Sequence, residues 1–171
     1  MFDDVNEILR RYAAGEREFP NADICDSELE GVDLSGINLS GAELADSDLT
    51  GINLSGANLH DANISQGSLS EANLSGTNLS EAFLCQTGFQ KANLRGANLS
   101  GANLSGVHFG DADLTDADLT GADLTGAVLR LANLTNADLT NAVLEEVSLS
   151  YKPPIFCNTI MPDGSIKNSG S

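Results

Sequence analysis

The chain has 171 residues, a length typical of one domain, and 41% of them are hydrophobic, which is enough for a core although tryptophan is absent. Its formal net charge of −17 excludes the basic footprint of a nucleic-acid-binding protein. The first sixteen residues contain no basic leader followed by an apolar stretch, and eighteen apolar residues never occur in a row. The sequence therefore predicts neither a signal peptide nor a membrane span, and it favours the cytoplasm.

The N-terminal segment, residues 1–15, is predicted to be a capping helix. Apolar residues at helical spacing mark its buried face: Phe2, Val5, Ile8, Leu9 and Tyr12. Asp3 or Asp4 can serve as the N-cap, and Gly15 ends the helix. The alternative is a helix on a membrane surface, but the segment is short and an anionic surface would repel its two leading acids.

A five-residue repeat occupies most of the rest of the chain. Counting from Phe19 in steps of five reaches Leu149 without a slip, through 27 pentapeptides whose central residue is always Leu, Ile or Phe. The residue two places before the centre is small or aliphatic from Ala22 to Val147. These two positions are predicted to face inward. The residue just before the centre (pre-centre) is mostly Asn or Asp, the one after it (post-centre) is mostly Ser or Thr, and the next (turn) is commonly Gly or an acid. These three positions are predicted to face outward.

This period fits neither regular element. Five residues of an α-helix advance about 500°, so the central leucines would be spread around the helix. In a flat strand an odd period would move the leucine to the opposite face at each repeat. A chain that turns a corner after each short extended piece keeps every centre inside, and Gly, Asn and Asp supply the turns. The sequence therefore predicts a coil with flat sides.

Units such as "ANLSG" at 97–101 and "ADLTG" at 122–126 resemble the pentapeptide-repeat family, and the resemblance covers residues 19–151. It implies an all-β fold, a right-handed quadrilateral β-helix solenoid over residues 16–151, with four pentapeptides in each coil. Residues twenty apart then stack about 4.8 Å from one another, which gives a rod of about 33 Å. Phe89 and Phe109 should therefore lie one over the other.

The C-terminal segment, residues 152–171, interrupts the period and is predicted to be a cap or a tail. Its apolar residues and a Pro-Asp-Gly turn at 162–164 suggest a short hairpin laid over the last coil.

The sequence offers no catalytic, metal or cofactor site, so the chain is predicted not to be an enzyme and to need no cofactor. His60 and His108 fall on different sides of the coil. The three cysteines form no CxxC pair, which favours reduced thiols. The aspartates between 111 and 123 depart from a calcium loop, because Thr115 and Asp116 occupy the places of a ligand and the essential glycine.

Two outward surfaces are candidates for interaction. The first is an acidic wall near the N-terminal end, where like charges should stack: Asp23 over Glu43, Asp26 over Asp46, and Glu28 over Asp48. The alternative is that these carboxylates splay into solvent and are screened. The second is a set of apolar residues at outward positions: Phe83, Val128, Leu131 and Val143. Scattered exposed apolar residues are also ordinary on protein surfaces.

These features predict a non-catalytic rod that binds an unknown protein partner, as a monomer or an end-to-end dimer, without membrane or direct nucleic-acid binding. The family resemblance implies an alternative, since some members are acidic DNA mimics that bind DNA gyrase. Residues 19–151 hold 19 acidic and 3 basic side chains. Over the rod this is about one charge per 2 Å, close to about one per 1.7 Å in duplex DNA. However, a near-neutral belt at residues 49–110 interrupts the charge, and the loop insertions and long apolar C-terminal segment of gyrase-binding relatives are missing.

Overall fold

The computed structural model describes residues 4–148 and 152–169. It contains one α-helix, α1 at Val5–Ala13, and two short strands, β1 at Thr159–Ile160 and β2 at Ile166–Lys167, within those ranges. Phe2, Asp3 and Leu149, which the sequence placed in the helix and at the last repeat centre, lie outside the described residues. No helix in the described part of the chain is both long and apolar enough to span a membrane.

Helix α1 begins after Asp4, whose carboxylate accepts a hydrogen bond from the Asn6 N–H at 2.9 Å. This choice between the two candidate N-caps satisfies one of the free N–H groups of the first turn. The chain leaves the helix through Gly15, where φ is +99°, a region that glycine adopts without steric cost.

One face of α1 packs against the first coil of the repeat. Ile8 is buried, and the Tyr12 hydroxyl donates a hydrogen bond to the Ser35 carbonyl at 2.8 Å. The Arg11 guanidinium lies over the Phe19 ring, 5.0 Å from its centroid. Polar and apolar contacts therefore hold the helix in one position on the coil.

The repeat forms a coil of twenty residues per turn with parallel pairing between successive coils. Isolated parallel bridges join residues twenty apart, from Glu18 with Asn38 to Val128 with Ser148. Each central N–H donates to a carbonyl one coil further on, as Leu34 does to Asn53 at 2.8 Å. Because the chain turns after every five residues, each coil has four sides, as expected for a solenoid.

The turn position of each repeat has a left-handed backbone, with φ near +60°. Glycine occupies many of these positions, but Asp46, Lys91 and Leu131 adopt the same conformation, with φ of 60°, 59° and 58°. Glycine, asparagine and aspartate tolerate this region best, which explains their frequency there.

The core is a stack of inward columns. Every described centre from Phe19 to Leu139 is buried. Phe89 and Phe109 lie one over the other with ring centroids 5.0 Å apart and planes inclined by 31°, which confirms the predicted stacking. Buried hydroxyls two residues before a repeat centre donate to carbonyls about one coil back, as Thr77 does to Leu54 at 2.7 Å and Thr87 does to Ile64 at 2.9 Å.

Beyond Ser148 the coil continues with a shift of two residues. Ile155 bridges Asn133 and Ile160 bridges Asp138, although a regular repeat would place residues 153 and 158 there. The break expected near Tyr151 is therefore followed by two further repeat units, centred on Phe156 and Met161. The expected hairpin is present, since β1 and β2 pair antiparallel with Thr159 opposite Lys167.

Candidate interaction surface

The pre-centre side chains form the outward columns, and their chemistry explains the preference for Asn and Asp. The Oδ1 atom of such a residue accepts a hydrogen bond from the N–H two residues later, as Asp33 does from Ser35 at 3.0 Å. Asparagine also reaches the preceding coil. Nδ2 of Asn73 donates to Oδ1 of Asn53 at 3.1 Å, and Nδ2 of Asn93 donates to Oδ1 of Asn73 at 3.1 Å. An apolar pre-centre residue can form neither the hydrogen bond to the N–H two residues later nor the bonds between stacked asparagines, which we call the amide ladder.

The carboxylates of the acidic wall lie on two adjacent sides of the first coils, one coil apart along the axis. Asp23 bridges Glu43 and Glu28 bridges Asp48, while Asp26 and Asp46 occupy turn positions one coil apart. Hydrogen bonds from Thr50, through its side chain first and then its backbone, hold the pKa of Asp48 below the usual value. At Asp48, local hydrogen bonding therefore favours the charged form within the wall.

The four apolar candidates separate into two pairs. Phe83 and Val143 lie in one pre-centre column and are 50% and 41% exposed. Val128 and Leu131 lie on the neighbouring side and are half-buried, and the Leu131 N–H donates to the Lys152 carbonyl at 3.2 Å. The first pair therefore offers more accessible apolar surface than the second.

Two further exposed apolar residues lie at the C-terminal end, and they were not among the candidate site residues. Ile155 is 48% exposed at the top of the Asn133 column, and Ile166 is 67% exposed in β2. The signal for Ile155 was available in the sequence, because a repeat counted two residues out of step places it at a pre-centre position.

The basic residues within residues 19–148 are each paired with a carboxylate about one coil away. Lys91 Nζ lies 3.0 Å from Glu71, and Arg130 lies 2.9 Å from Asp111. Arg95 lies 3.2 Å from the carboxylate of Asp113. At Asp113 burial raises the pKa, but hydrogen bonds from Thr115 and Arg95 outweigh it, so that the pKa is lowered overall.

The histidines and cysteines do not converge on one site. His60 and His108 are exposed on different sides, and His60 Nδ1 lies 3.0 Å from the Ser80 carbonyl oxygen. Burial raises the pKa of the Cys25 thiol, which disfavours its reactive thiolate form. Among the described residues, no group of three His, Cys, Asp or Glu side chains is arranged to hold a metal ion.

Two cavities lie at the ends of the rod. One, of about 220 Å³, separates α1 from the first coil and is lined by Ile8, Phe19 and Pro20 together with charged side chains of the helix. The other, of about 510 Å³, is open to solvent beside the hairpin and is lined by Met161, Ile166 and Lys167. The exposed Phe83 and Val143 lie outside both cavities.

Comparison with known proteins gives the following similarities. A family profile described as pentapeptide repeats matches in eight copies, over residues 37–71, 68–106 and 112–150. No curated protein sequence matches the chain. Among solved structures, HetL, a pentapeptide repeat protein involved in heterocyst differentiation regulation from the cyanobacterium Nostoc sp. strain PCC 7120, is 30% identical over 96% of this chain and 100% of its own, with a TM-score of 0.49.

Two other solved structures are similar to this chain, one mainly in sequence and one mainly in fold. Rfr23, a pentapeptide repeat protein from the cyanobacterium Cyanothece 51142, is 29% identical over 92% of this chain and 99% of its own, with a TM-score of 0.37. A trypsin-treated form of QnrB1, a plasmid-mediated fluoroquinolone resistance protein, is 17% identical over 84% of this chain and 72% of its own, and its TM-score of 0.54 shows a common fold. The profile match over more than half of the chain shows that the chain belongs to the pentapeptide-repeat family.

Proposed function

We propose that this chain is a non-catalytic rod that binds a protein partner through one of its flat sides. The observation that carries the proposal is the exposure of Phe83 and Val143 in a single pre-centre column. Their equivalents one coil away are Asn63, Asn103 and Asp123, which form hydrogen bonds that phenylalanine and valine cannot form. Exposed aromatic side chains are enriched at the centres of protein interfaces, where they contribute strongly to affinity.

We also infer the finer architecture that fits this role. The coil winds to the right, as the family resemblance implies, and α1, which lies within the N-terminal segment 1–15, closes its N-terminal end. The burial of Ile8 and the bond from Tyr12 to Ser35 support a capping role, because an uncovered end would expose the unpaired edge of the first coil. We infer that the segment 152–171 is a cap or a tail at the opposite end.

A photo-crosslinking experiment in the source cell tests the interaction. Phe83 is replaced by p-benzoylphenylalanine, which keeps an aromatic ring at this position, and the matched control carries the same residue at Gln90, which is exposed on the adjoining side. The expected result is a discrete crosslinked protein from position 83 that is absent or much weaker from position 90. Equal crosslinking from both positions, or none from position 83, would contradict the proposal.

A second candidate is an acidic DNA mimic that binds DNA gyrase. The stacking of Asp23 with Glu43 and of Glu28 with Asp48 favours it, because carboxylates one coil apart imitate a regular row of phosphates. The belt at residues 49–110 interrupts that row, since it holds only Asp61, Glu71 and Glu81 against Lys91 and Arg95. A gyrase supercoiling assay decides between the two: the mimic predicts inhibition or protection at a modest molar excess, and the interaction rod predicts no effect at a large excess.

A further inference from the structure

The side of the rod that carries Phe83 has an ordered sequence of chemical groups along its axis. The bridges between successive coils fix the order of one pre-centre column, from the N-terminal end to the C-terminal end, as Asp23, Glu43, Asn63, Phe83, Asn103, Asp123 and Val143. We call this set the Phe83 column. Its half-exposed aromatic ring lies near the middle, and carboxylates lie on both sides of it along the axis.

The charge on this side is of one sign. The basic residues within residues 19–148, Lys91, Arg95 and Arg130, lie on other sides, and each contacts a carboxylate there. The acids of this side include members of the Phe83 column and the residues beside it: Asp23, Asp26, Glu43, Asp46, Asp123, Glu145 and Glu146. A cationic partner would therefore meet no repelling lysine or arginine on this side.

Within the Phe83 column, the carboxylates nearest to Phe83 are placed symmetrically. Glu43 lies two coils before Phe83, and Asp123 lies two coils after it. At about 4.8 Å per coil, each is about 9.6 Å from the position of the ring along the axis. A peptide in the polyproline II conformation advances about 3.1 Å per residue with three residues per turn, so side chains three positions apart share one face and lie about 9.3 Å apart, which matches each interval.

Both carboxylates have capacity for a further donor. Glu43 accepts a hydrogen bond from the Asn63 amide at 2.8 Å through Oε2. Asp123 accepts bonds from the Thr125 N–H and hydroxyl at 2.9 and 2.6 Å, and both fall on Oδ1. The second oxygen of each carboxylate is the position at which an arginine or lysine donor would bind.

We propose that the Phe83 column binds a peptide segment in the polyproline II conformation, in which a large apolar residue is flanked, three positions away on each side, by arginine or lysine. The apolar side chain packs on Phe83, and the two cations pair with Glu43 and Asp123. This inference rests on the proposed function, and it specifies the partner's chemistry at the same surface. The spacing of the groups in the peptide is the feature that distinguishes it from general attraction to an acidic rod.

The test uses synthetic peptides and the full chain. The spaced probe is a fluorescein-labelled peptide of eleven residues with a central leucine, arginine three residues before and after it, and serine elsewhere. The clustered probe has the same composition with both arginines next to the leucine. Fluorescence anisotropy at low salt should give a Kd for the spaced probe that is lower by about fivefold or more. Equal affinity for the two probes, or no binding of either, would overturn the proposal.

Three variants locate the binding site. Phe83→Asn restores the residue found one coil away on each side and should weaken binding of the spaced probe by about tenfold, while Phe83→Leu should retain most of it. Asp123→Asn should weaken binding by about threefold and reduce its salt dependence. The matched control is Asp118→Asn, which removes the same charge from a pre-centre position on the adjacent side and should leave the Kd within about twofold. Equal losses in Asp123→Asn and Asp118→Asn would contradict a specific site.

A spectroscopic readout gives independent evidence, because the chain contains no tryptophan. Phe83→Trp places the single tryptophan in the column, and Gln90→Trp places it on the adjoining side. Saturating spaced peptide should shift the emission of the first variant to the blue and leave the second unchanged. If position 83 crosslinks to a partner in the cell but the peptide neither binds nor shifts the emission, the proposed function stands and this partner chemistry is wrong. If position 83 also fails to crosslink, both are wrong.

Discussion

The contact between Phe89 and Phe109 provides a quantitative test of the coil stacking. Replacing either ring by leucine returns that centre to the commonest residue of the repeat and leaves the backbone bridges intact. Both rings are fully buried, with centroids 5.0 Å apart. Each single substitution therefore removes the ring contact in addition to part of the buried apolar volume.

The expected magnitudes follow from that geometry. An aromatic pair at this separation contributes about 0.5–1.5 kcal/mol beyond the burial of its area. With the smaller loss from replacing a buried phenylalanine by leucine, each of Phe89→Leu and Phe109→Leu should lower the free energy of unfolding by about 1–2 kcal/mol. The double variant should cost less than the sum of the single variants by about 1 kcal/mol, because the ring contact is lost only once.

Urea unfolding followed by circular dichroism and by hydrogen exchange measures this coupling, with an unchanged m-value as the condition for comparison. The control pairs Phe89→Leu with Phe19→Leu. Phe19 lies in the first coil on a different side, so these two substitutions should be additive within about 0.5 kcal/mol. Additivity of the Phe89 and Phe109 substitutions to the same precision would refute the stacking argument.

Three further predictions concern the surface. Replacing three carboxylates of the acidic wall, Glu43, Asp46 and Asp48, by asparagine should raise Tm at low salt by on the order of 3 °C, because like charges one coil apart repel. The gain should be smaller in 1 M NaCl, because salt screens the charges, and an unchanged Tm at low salt would argue against repulsion. Changing Val128 to Asn and Leu131 to Gly should preserve folding, since the loss of two half-buried side chains is partly offset by relief of the left-handed backbone at Leu131. Circular dichroism and sedimentation check this, with self-association expected to weaken and unfolding counting against a surface role. Hydrogen bonds from the Thr125 hydroxyl and then its N–H lower the pKa of Asp123, so its stabilising contribution is present above the unfolded pKa of about 4 and is lost as pH falls through the folded value. The native chain should therefore lose stability relative to Asp123→Asn as pH falls below about 4, as measured by urea midpoints, and a pH-independent difference would contradict this assignment.

The inward columns could be predicted from the sequence because burial in this fold depends on position within the repeat. The polar exceptions follow the same rule. Ser47, Thr77 and Thr87 are buried because each hydroxyl reaches a carbonyl one coil back, a bond that the repeat geometry provides. The amide ladder could not be predicted in detail, because it depends on which asparagine lies over which, and on the direction of each amide.

The C-terminal end and the degree of exposure were less predictable. Counting repeat centres in fixed steps of five fails after Ser148, because the register of the later repeats is shifted by two residues. The count therefore does not identify Phe156 and Met161 as further centres. Phe83 and Leu131 both depart from the repeat consensus, yet Phe83 is exposed whereas Leu131 is only partly exposed. The two residues occupy different positions of the repeat: Phe83 is a pre-centre residue between asparagines of the neighbouring coils, whereas Leu131 is a turn residue whose N–H is bonded to the shifted segment at Lys152.

The coil of twenty residues also limits how the length of this protein can change. Adding or deleting twenty residues lengthens or shortens the rod and returns every later column to its original side. Deleting five residues would keep the inward positions inward, but it would rotate everything after the deletion by a quarter turn. If the deletion lay between Phe83 and Val143, Val143 would leave the side of Phe83, although every remaining inward residue would still face the core. A binding surface spread over several coils therefore requires length changes in whole coils, whereas the hydrophobic core accepts changes in single repeats.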